Sequence, residues 1–279
     1  MTLSLSMILM ILAAALMHAS WNVMVKTSGD KLLNTGLIML GLGFCSLFAL
    51  PFVGIPDAAS WPFLAGSLLT HLVYYIGLSG GYRHGDLSQV YPIARGSSPL
   101  LVAIAAWLII GETLTPLQIG GVAATSLGIL SLSFDKPIDR AHSWRPVLFG
   151  LLTGLSIMSY TLFDGQGVRL AGDRLGYIIW LFVLDAPLVT LYCLWRRPAA
   201  LNYFRAKWKF GLVGGLLSGG GYGISIYAMS LGGLANVSAL RETSVIFAAL
   251  MSTFLLKERF RHRRYASVAL VAAGAILLH

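Results

Sequence analysis

Apolar residues run along this chain in long blocks separated by short polar joints, without the alternation of a half-buried strand or the single stripe of a soluble helix. The blocks predict ten spans, at residues 3–26, 33–53, 61–82, 87–110, 117–134, 145–165, 175–195, 208–231, 234–256 and 262–278. Each lies near the roughly 20 apolar residues a helix needs to cross the hydrocarbon core. Lipid offers the backbone no hydrogen-bond partners, so a spanning chain forms helices or a closed barrel, and unbroken apolar runs decide for helices. The longest joint, with Asp135, Lys136, Pro137, Asp139 and Arg140, reads as a connecting loop at 136–144 between two five-helix halves, 1–135 and 145–279.

Composition sharpens this picture. Of 279 residues 57% are hydrophobic and only 11% are charged, against about 25% charged in soluble domains. The apolar start, Leu3–Met17, has no basic region before it and runs on into His18, Trp21 and Asn22, so it reads as an uncleaved first span. Cys45 and Cys193 both sit in apolar runs and read as packing residues.

The net charge of +9 comes from joints rather than from a nucleic-acid-binding face. Sixteen of the twenty lysines and arginines lie in or beside joints 1–2, 3–4, 5–6, 7–8 and 9–10, among them Lys26, Arg83, Arg145, Arg197 and Arg264. The even joints hold Arg169 and Arg174, and Arg95 and Arg241 lie inside spans. Positive charge stays on the cytoplasmic side. The odd joints are therefore expected in the cytoplasm, with both termini outside the cell inner membrane.

The halves echo one another. At an offset of 146 residues Arg95 falls on Arg241, Ser98 on Ser244, Glu112 on Glu258 and Gly128 on Gly274; at 139, Ser20 falls on Ser159. At an offset of 147, Tyr75 falls on Tyr222. Five spans per copy is an odd number, so the second copy is expected upside down in the membrane. Inverted repeats are a recurring plan of secondary transporters, with substrate held near the midplane between the copies.

Three groups of residues carry a family resemblance across essentially the whole chain. They are His18, Trp21, Asn22 and Lys26 in span 1; Tyr91, Pro92, Arg95, Ser98 and Pro99 opening span 4; and the span-ending Gly111–Glu112 with its echo Leu256–Arg259. On these residues the chain resembles the EamA-type members of the drug/metabolite transporter superfamily. The resemblance implies ten helices around a central cavity, spans 5 and 10 peripheral, and movement of small metabolites without ATP hydrolysis. Small multidrug members use an acid deep in span 1; this chain has none there, which argues against a cationic-drug antiporter.

Ionisable groups within spans are costly and are functional candidates by default. Arg95 and Arg241 lie roughly 12 and 10 Å into their spans at 1.5 Å per residue. They read as substrate or gate contacts, with snorkelling to the interface as the alternative, and Glu242 reads as a packing partner elsewhere on the helix. Pro92 and Pro99 bracket Arg95 and loosen the helix there. Asp185, deep in span 7, reads as a proton-coupling group, a counter-ion to an arginine, or a buried structural contact. Asp164 stands near the end of span 6, where interface placement competes with a site. Trp21, Asn22, His71, Tyr75, Tyr91, Ser98, Tyr160, Tyr222 and Ser244 complete the expected substrate-binding set, with the aromatic rings able to stack on substrate or box a cation. Gly219–Gly223 around Tyr222 reads either as a mobile cavity wall or as a close-packing face.

The expected function is secondary transport of a small polar metabolite, amino-acid-like and zwitterionic or anionic, directed outward, by a monomer or homodimer in the bilayer. A flippase of lipid-linked sugars shares this plan and is the alternative. The sequence carries no DxxD, HExxH or nucleotide-binding loop, so an embedded transferase is disfavoured and neither metal nor cofactor is expected.

Overall fold

The computed structural model describes residues 3–84, 87–134, 144–197, 200–254 and 262–278. Among these, every regular element is helical. In chain order the helices are α1 (Leu5–Thr27), α2 (Lys31–Ala49), α3 (Trp61–His84), α4 (Leu87–Ala105), α5 (Pro116–Ser131), α6 (Arg145–Leu170) and α7 (Arg174–Arg196). There follow the short α8 (Ala200–Ala206), then α9 (Trp208–Leu231), α10 (Leu234–Arg241), α11 (Ser244–Phe254) and α12 (His262–Leu277). The expected connecting loop (136–143 of it) and the Leu256–Arg259 echo lie outside the described residues.

Local chemistry sets the ends. The Asp30 carboxylate accepts from the Leu32 and Leu33 N–H groups at the start of α2, and Thr115 with Gln118 forms a reciprocal capping box on α5. Gly172, at φ +67°, supplies the left-handed turn between α6 and α7.

Among the described residues, eight helical stretches are long and apolar enough to span a bilayer; α3 is not among them, and the apolar stretch of α12, Arg264–Leu277, is shorter. Large apolar side chains such as Leu9, Phe44, Phe48, Trp107, Leu108, Leu191 and Ile276 point outward on these helices. Water would make such a surface a liability, whereas lipid tails solvate it. The chain is a multi-pass membrane protein.

With lipid as apolar as leucine, the helices hold together by close approach of small residues. On α9, Gly211 and Gly215 pack on the α2 backbone at Leu37, Gly41 and Leu42, and Gly221 packs on the α1 backbone at Ala14 and His18. On α6, Gly150 and Gly154 pack on Ile93, Ala94 and Ser97 of α4. The glycine run of α9 is thus occupied in helix packing. Cys193 fits against Gly36 in the same way. The helices α5 and α12 cross antiparallel: Gly121 meets Gly274, and the Ser267 hydroxyl donates to the Gly128 carbonyl at 2.6 Å.

Two predicted spans differ in detail. The ninth, 234–256, is not one helix: it breaks at Glu242 and Thr243, whose N–H groups bond three residues back, to Ala239 and Leu240. The fourth is α-helical to Ala105 and then widens into a π turn over Ala106–Ile110, ended by Gly111 at φ +75°. Pro92 and Pro99 leave α4 continuous. Pro99 has no N–H for the Arg95 carbonyl, and the Ser98 hydroxyl donates to that carbonyl instead, at 3.1 Å.

Candidate functional site

The break between α10 and α11 places Glu242 between two arginines. Its carboxylate lies 3.0 Å from Arg95 Nη2, brought by α4, and 3.9 Å from Arg241 Nη2, at the end of α10. Relative exposures are 0% for Glu242, 2% for Arg241 and 3% for Arg95, so neither arginine snorkels. The approach is close but misaligned: Nε and Nη2 of both arginines and both Glu242 oxygens lack an aligned hydrogen bond. Desolvating three charges costs several kcal/mol per ion, which attraction offsets only with good geometry and satisfied hydrogen bonds. Two guanidinium groups facing one carboxylate leave net positive charge in a dry place. Such an arrangement is poor as a structural brace and well suited to receiving an anion.

Beside this positive pole stands an aromatic wall from α3, α6 and α9. His71 lies 4.4 Å from Tyr160 and 5.7 Å from Tyr222, centroid to centroid; Tyr160 lies 5.7 Å from Tyr222 and 6.1 Å from Tyr74. The Arg241 guanidinium carbon sits 5.8 Å from the Tyr222 ring centroid, within the range of a cation–π contact. On its far side Tyr222 donates its hydroxyl to Asp164, which also accepts from Tyr177 at 3.1 Å. Asp185 lies 3.5 Å from His71 Nδ1. A negative pole of two buried carboxylates therefore faces the positive pole across the rings.

Of the expected residues, the structure brings Arg95, Arg241, His71, Tyr160, Tyr222 and Asp185 together. Arg95 and Arg241 meet on one carboxylate rather than standing apart. His18, Asn22, Tyr91 and Ser244 line an adjoining hollow of about 100 Å³ with Pro92 and Ile129. Asn22 also donates to the His18 carbonyl at 2.8 Å, and Trp21 stacks edge-on against His18 at 5.3 Å. Ser98 serves the α4 backbone, as described. Tyr75 turns towards α2, its hydroxyl 3.4 Å from Met39 Sδ.

Two placements come from the structure. Glu242, read as a packing partner elsewhere on its helix, is the centre of the charge cluster, because the break turns it inward. Asp164, for which interface placement competes with a site, is fully buried and accepts from two tyrosine hydroxyls, on an α6 that runs on to Leu170 beyond the predicted span end. The signal that could have found Glu242 was its place next to Arg241, at the repeat position of Arg95.

A second hollow, about 450 Å³, lies where α4 and α9 end, lined by Gly111, Glu112, Arg169, Ser230, Gly232, Gly233 and Asn236 among others. Here Glu112 accepts from the N–H groups of Leu234 and Ala235 at 2.9 and 3.2 Å, capping α10 from another helix. Arg169 forks onto the carbonyls of Met229 and Gly232 at 2.7–3.1 Å, capping α9. Opposite charges thus meet opposite helix ends on either side of Gly232–Gly233, as the helix dipole favours.

A lipid-facing helical fold enclosing a buried charged and aromatic cluster defines a polytopic membrane protein with a polar interior, and the family match makes it a membrane transporter. The EamA-like transporter family model matches residues 5–134 and again 144–279, and the chain belongs to that family. It is 25% identical over 240 residues to the chloramphenicol-sensitive protein RarD of Pseudomonas aeruginosa, covering 85% of this chain and 74% of that one. An uncharacterized transporter encoded in the cobO 3' region of a Sinorhizobium species is 29% identical over 141 residues, covering 50% of this chain and 97% of the relative. A crystal structure of another protein superposes with a TM-score of 0.73 at 15% identity, over 98% of this chain and 96% of that one. It shares the fold.

Proposed function

We propose that this protein is a secondary transporter that moves a small anionic or zwitterionic metabolite across the inner membrane by alternating access. The observation that carries the reading is the buried Arg95–Glu242–Arg241 cluster at a helix break, with donors that no protein group satisfies in an aligned bond. A substrate carboxylate fits the arginine pole, and an ammonium group fits the tyrosine faces towards Asp164 and Asp185. Outward movement follows where the metabolite is more concentrated inside.

The ten-span, two-half reading (1–135 and 145–279, joined at 136–144) takes α3 and α12 as spans and α10 with α11 as one broken span. Its inversion is supported by the α5–α12 crossing. An offset of 146 turns Gly121 into Ser267 and Gly128 into Gly274, so the contact of Gly121 with Gly274 maps onto that of Ser267 with Gly128. Antiparallel helices that exchange such contacts are related by a two-fold axis across them, which is an axis in the membrane plane. With basic joints in the cytoplasm, the Glu112–Arg169 hollow faces outward and the His18–Ser244 hollow faces inward.

The test is a thermal-stability screen of detergent-purified protein against amino acids, amines, phosphonates and nucleotides. A ligand that binds the folded state raises apparent stability by linkage. An anionic or zwitterionic metabolite is expected to stabilise the protein, and Arg95→Ala is expected to abolish the shift. Stabilisation by lipids or cations alone, or an equal response of the variant, would refute the arginine site and favour a flippase.

A further inference from the structure

Three buried carboxylates serve this cluster, and their surroundings differ. Asp164 has two tyrosine hydroxyl donors, and Asp185 has only a single imidazole, His71 Nδ1, at 3.5 Å, without an aligned hydrogen bond from it. Glu242 has guanidinium charge at 3.0 and 3.9 Å but no aligned hydrogen bond to either oxygen. It also stands on the Glu242–Thr243 turn rather than within a helix, where small backbone rotations re-aim the side chain.

We propose that Glu242 is the resident anion of the substrate site: its carboxylate holds the place of the substrate's, and substrate binding displaces it together with uptake of one proton. The inference rests on the reading of Arg95 and Arg241 as the anion-binding pole. When a substrate carboxylate takes the two arginines, the Glu242 carboxylate loses its counter-charges in a site with no water exposure. A buried carboxylate without a partner is relieved by protonation. Solvent supplies the proton: one O–H bond forms on a Glu242 oxygen, and the site then holds two arginines, one substrate anion and a neutral acid. Charge in the site is the same before and after. Proton and substrate are aboard together, so they cross in the same direction.

The charged and titratable groups facing Glu242 are Arg95 and Tyr91 from α4, Tyr160 from α6 and Arg241 from α10, with His18 of α1, His71 of α3 and Tyr222 of α9 facing the arginines. The tyrosines carry no charge near neutral pH. His18 and His71 are the imidazoles beside the cluster, and both are controlled for below.

The experiment uses the full chain in detergent with benzoate as a carboxylate probe, from about pH 5.5 to 8, where benzoate stays ionised. Wild-type affinity is expected to weaken with rising pH, approaching about tenfold per unit for a one-proton linkage, with about one proton taken up per benzoate in weak buffer. Glu242→Gln is expected to bind benzoate more tightly and without that slope; His18→Gln and His71→Gln are each expected to keep the slope. Should Glu242→Gln fail to fold, proton uptake by the wild type decides alone. Benzoate binding without proton uptake, or a slope that survives in Glu242→Gln, overturns the role of Glu242. If benzoate binds neither wild type nor Glu242→Gln, or binds Arg95→Lys as well as wild type, the anion pole itself is refuted.

Discussion

Removing Glu112 tests whether one helix is capped by the end of another. Gly233, at the N-cap of α10, has no side chain to offer the first N–H groups, and the N–H groups of Leu234 and Ala235 have no partner within the helix. Glu112 takes both, at 2.9 and 3.2 Å. Loss of an N-cap costs about 0.5–2 kcal/mol, typically about 1. Hydrogen bonds to a charged group are worth about 1.5–3 kcal/mol. Glu112 is only half-buried, so water recovers part of that, and about 2 kcal/mol is a fair figure for Glu112→Ala. At 1.4 kcal/mol per factor of ten, local opening should become roughly thirtyfold more frequent. Glu112→Gln keeps one acceptor oxygen without the charge, so about 1 kcal/mol and roughly fivefold are expected. Hydrogen–deuterium exchange of a peptide covering Gly232–Val237 reads this directly. Exchange is expected to accelerate there in the order Ala above Gln above wild type, with α2 and α9 unchanged. Unaltered exchange in Glu112→Ala, or acceleration spread evenly over all helices, would refute the cap and make Glu112 a bystander.

Two further outcomes follow from buried and loop carboxylates. Asp164→Ala strands the Tyr177 and Tyr222 hydroxyls; two bonds to a charged group suggest at least about 3 kcal/mol and a melting temperature lower by about 6–12 °C, and an unchanged melting temperature would argue against a buried network. Asp173, in the loop before α7, is held below the usual carboxylate range by the N–H groups of the α7 first turn, Gly176 foremost, and by the Gly54 N–H, whose bond is 2.7 Å. A depressed carboxylate stabilises the fold above its ordinary value and loses that contribution as pH falls through its folded value, so the Gly54 contact is expected to hold at neutral pH and loosen only below about pH 4. Amide exchange at Gly54 followed against pH, with Asp173→Asn as the pH-insensitive control, checks it.

Much of the fold was legible because lipid imposes a blunt requirement: runs of apolar residues long enough to satisfy the backbone internally. Arg95, Arg241, His71, Tyr160, Tyr222 and Asp185 were legible for the complementary reason, since polar groups in such runs are costly and stand out against them. Glu242 was less so, because a residue's facing is read from helical periodicity and the break at Glu242–Thr243 interrupts that periodicity. Asp164 stayed open between an interface and a site, because a helix end is the least distinct feature of an apolar run that fades into polar residues. Glu112 marked the family resemblance, yet nothing near it in sequence told what it binds.

The sequence by itself determined the solvent, the helices and the inventory of buried charge, because those depend on local composition and on length. Tertiary structure alone decided the pairings. Arg95 and Arg241 stand 146 residues apart and share one carboxylate; Glu112 caps a helix that begins 122 residues later; Gly121 and Gly274 meet across antiparallel helices. Each partner meets the other only once the helices have packed, and a side chain's own neighbours in sequence carry no information about which distant group that is.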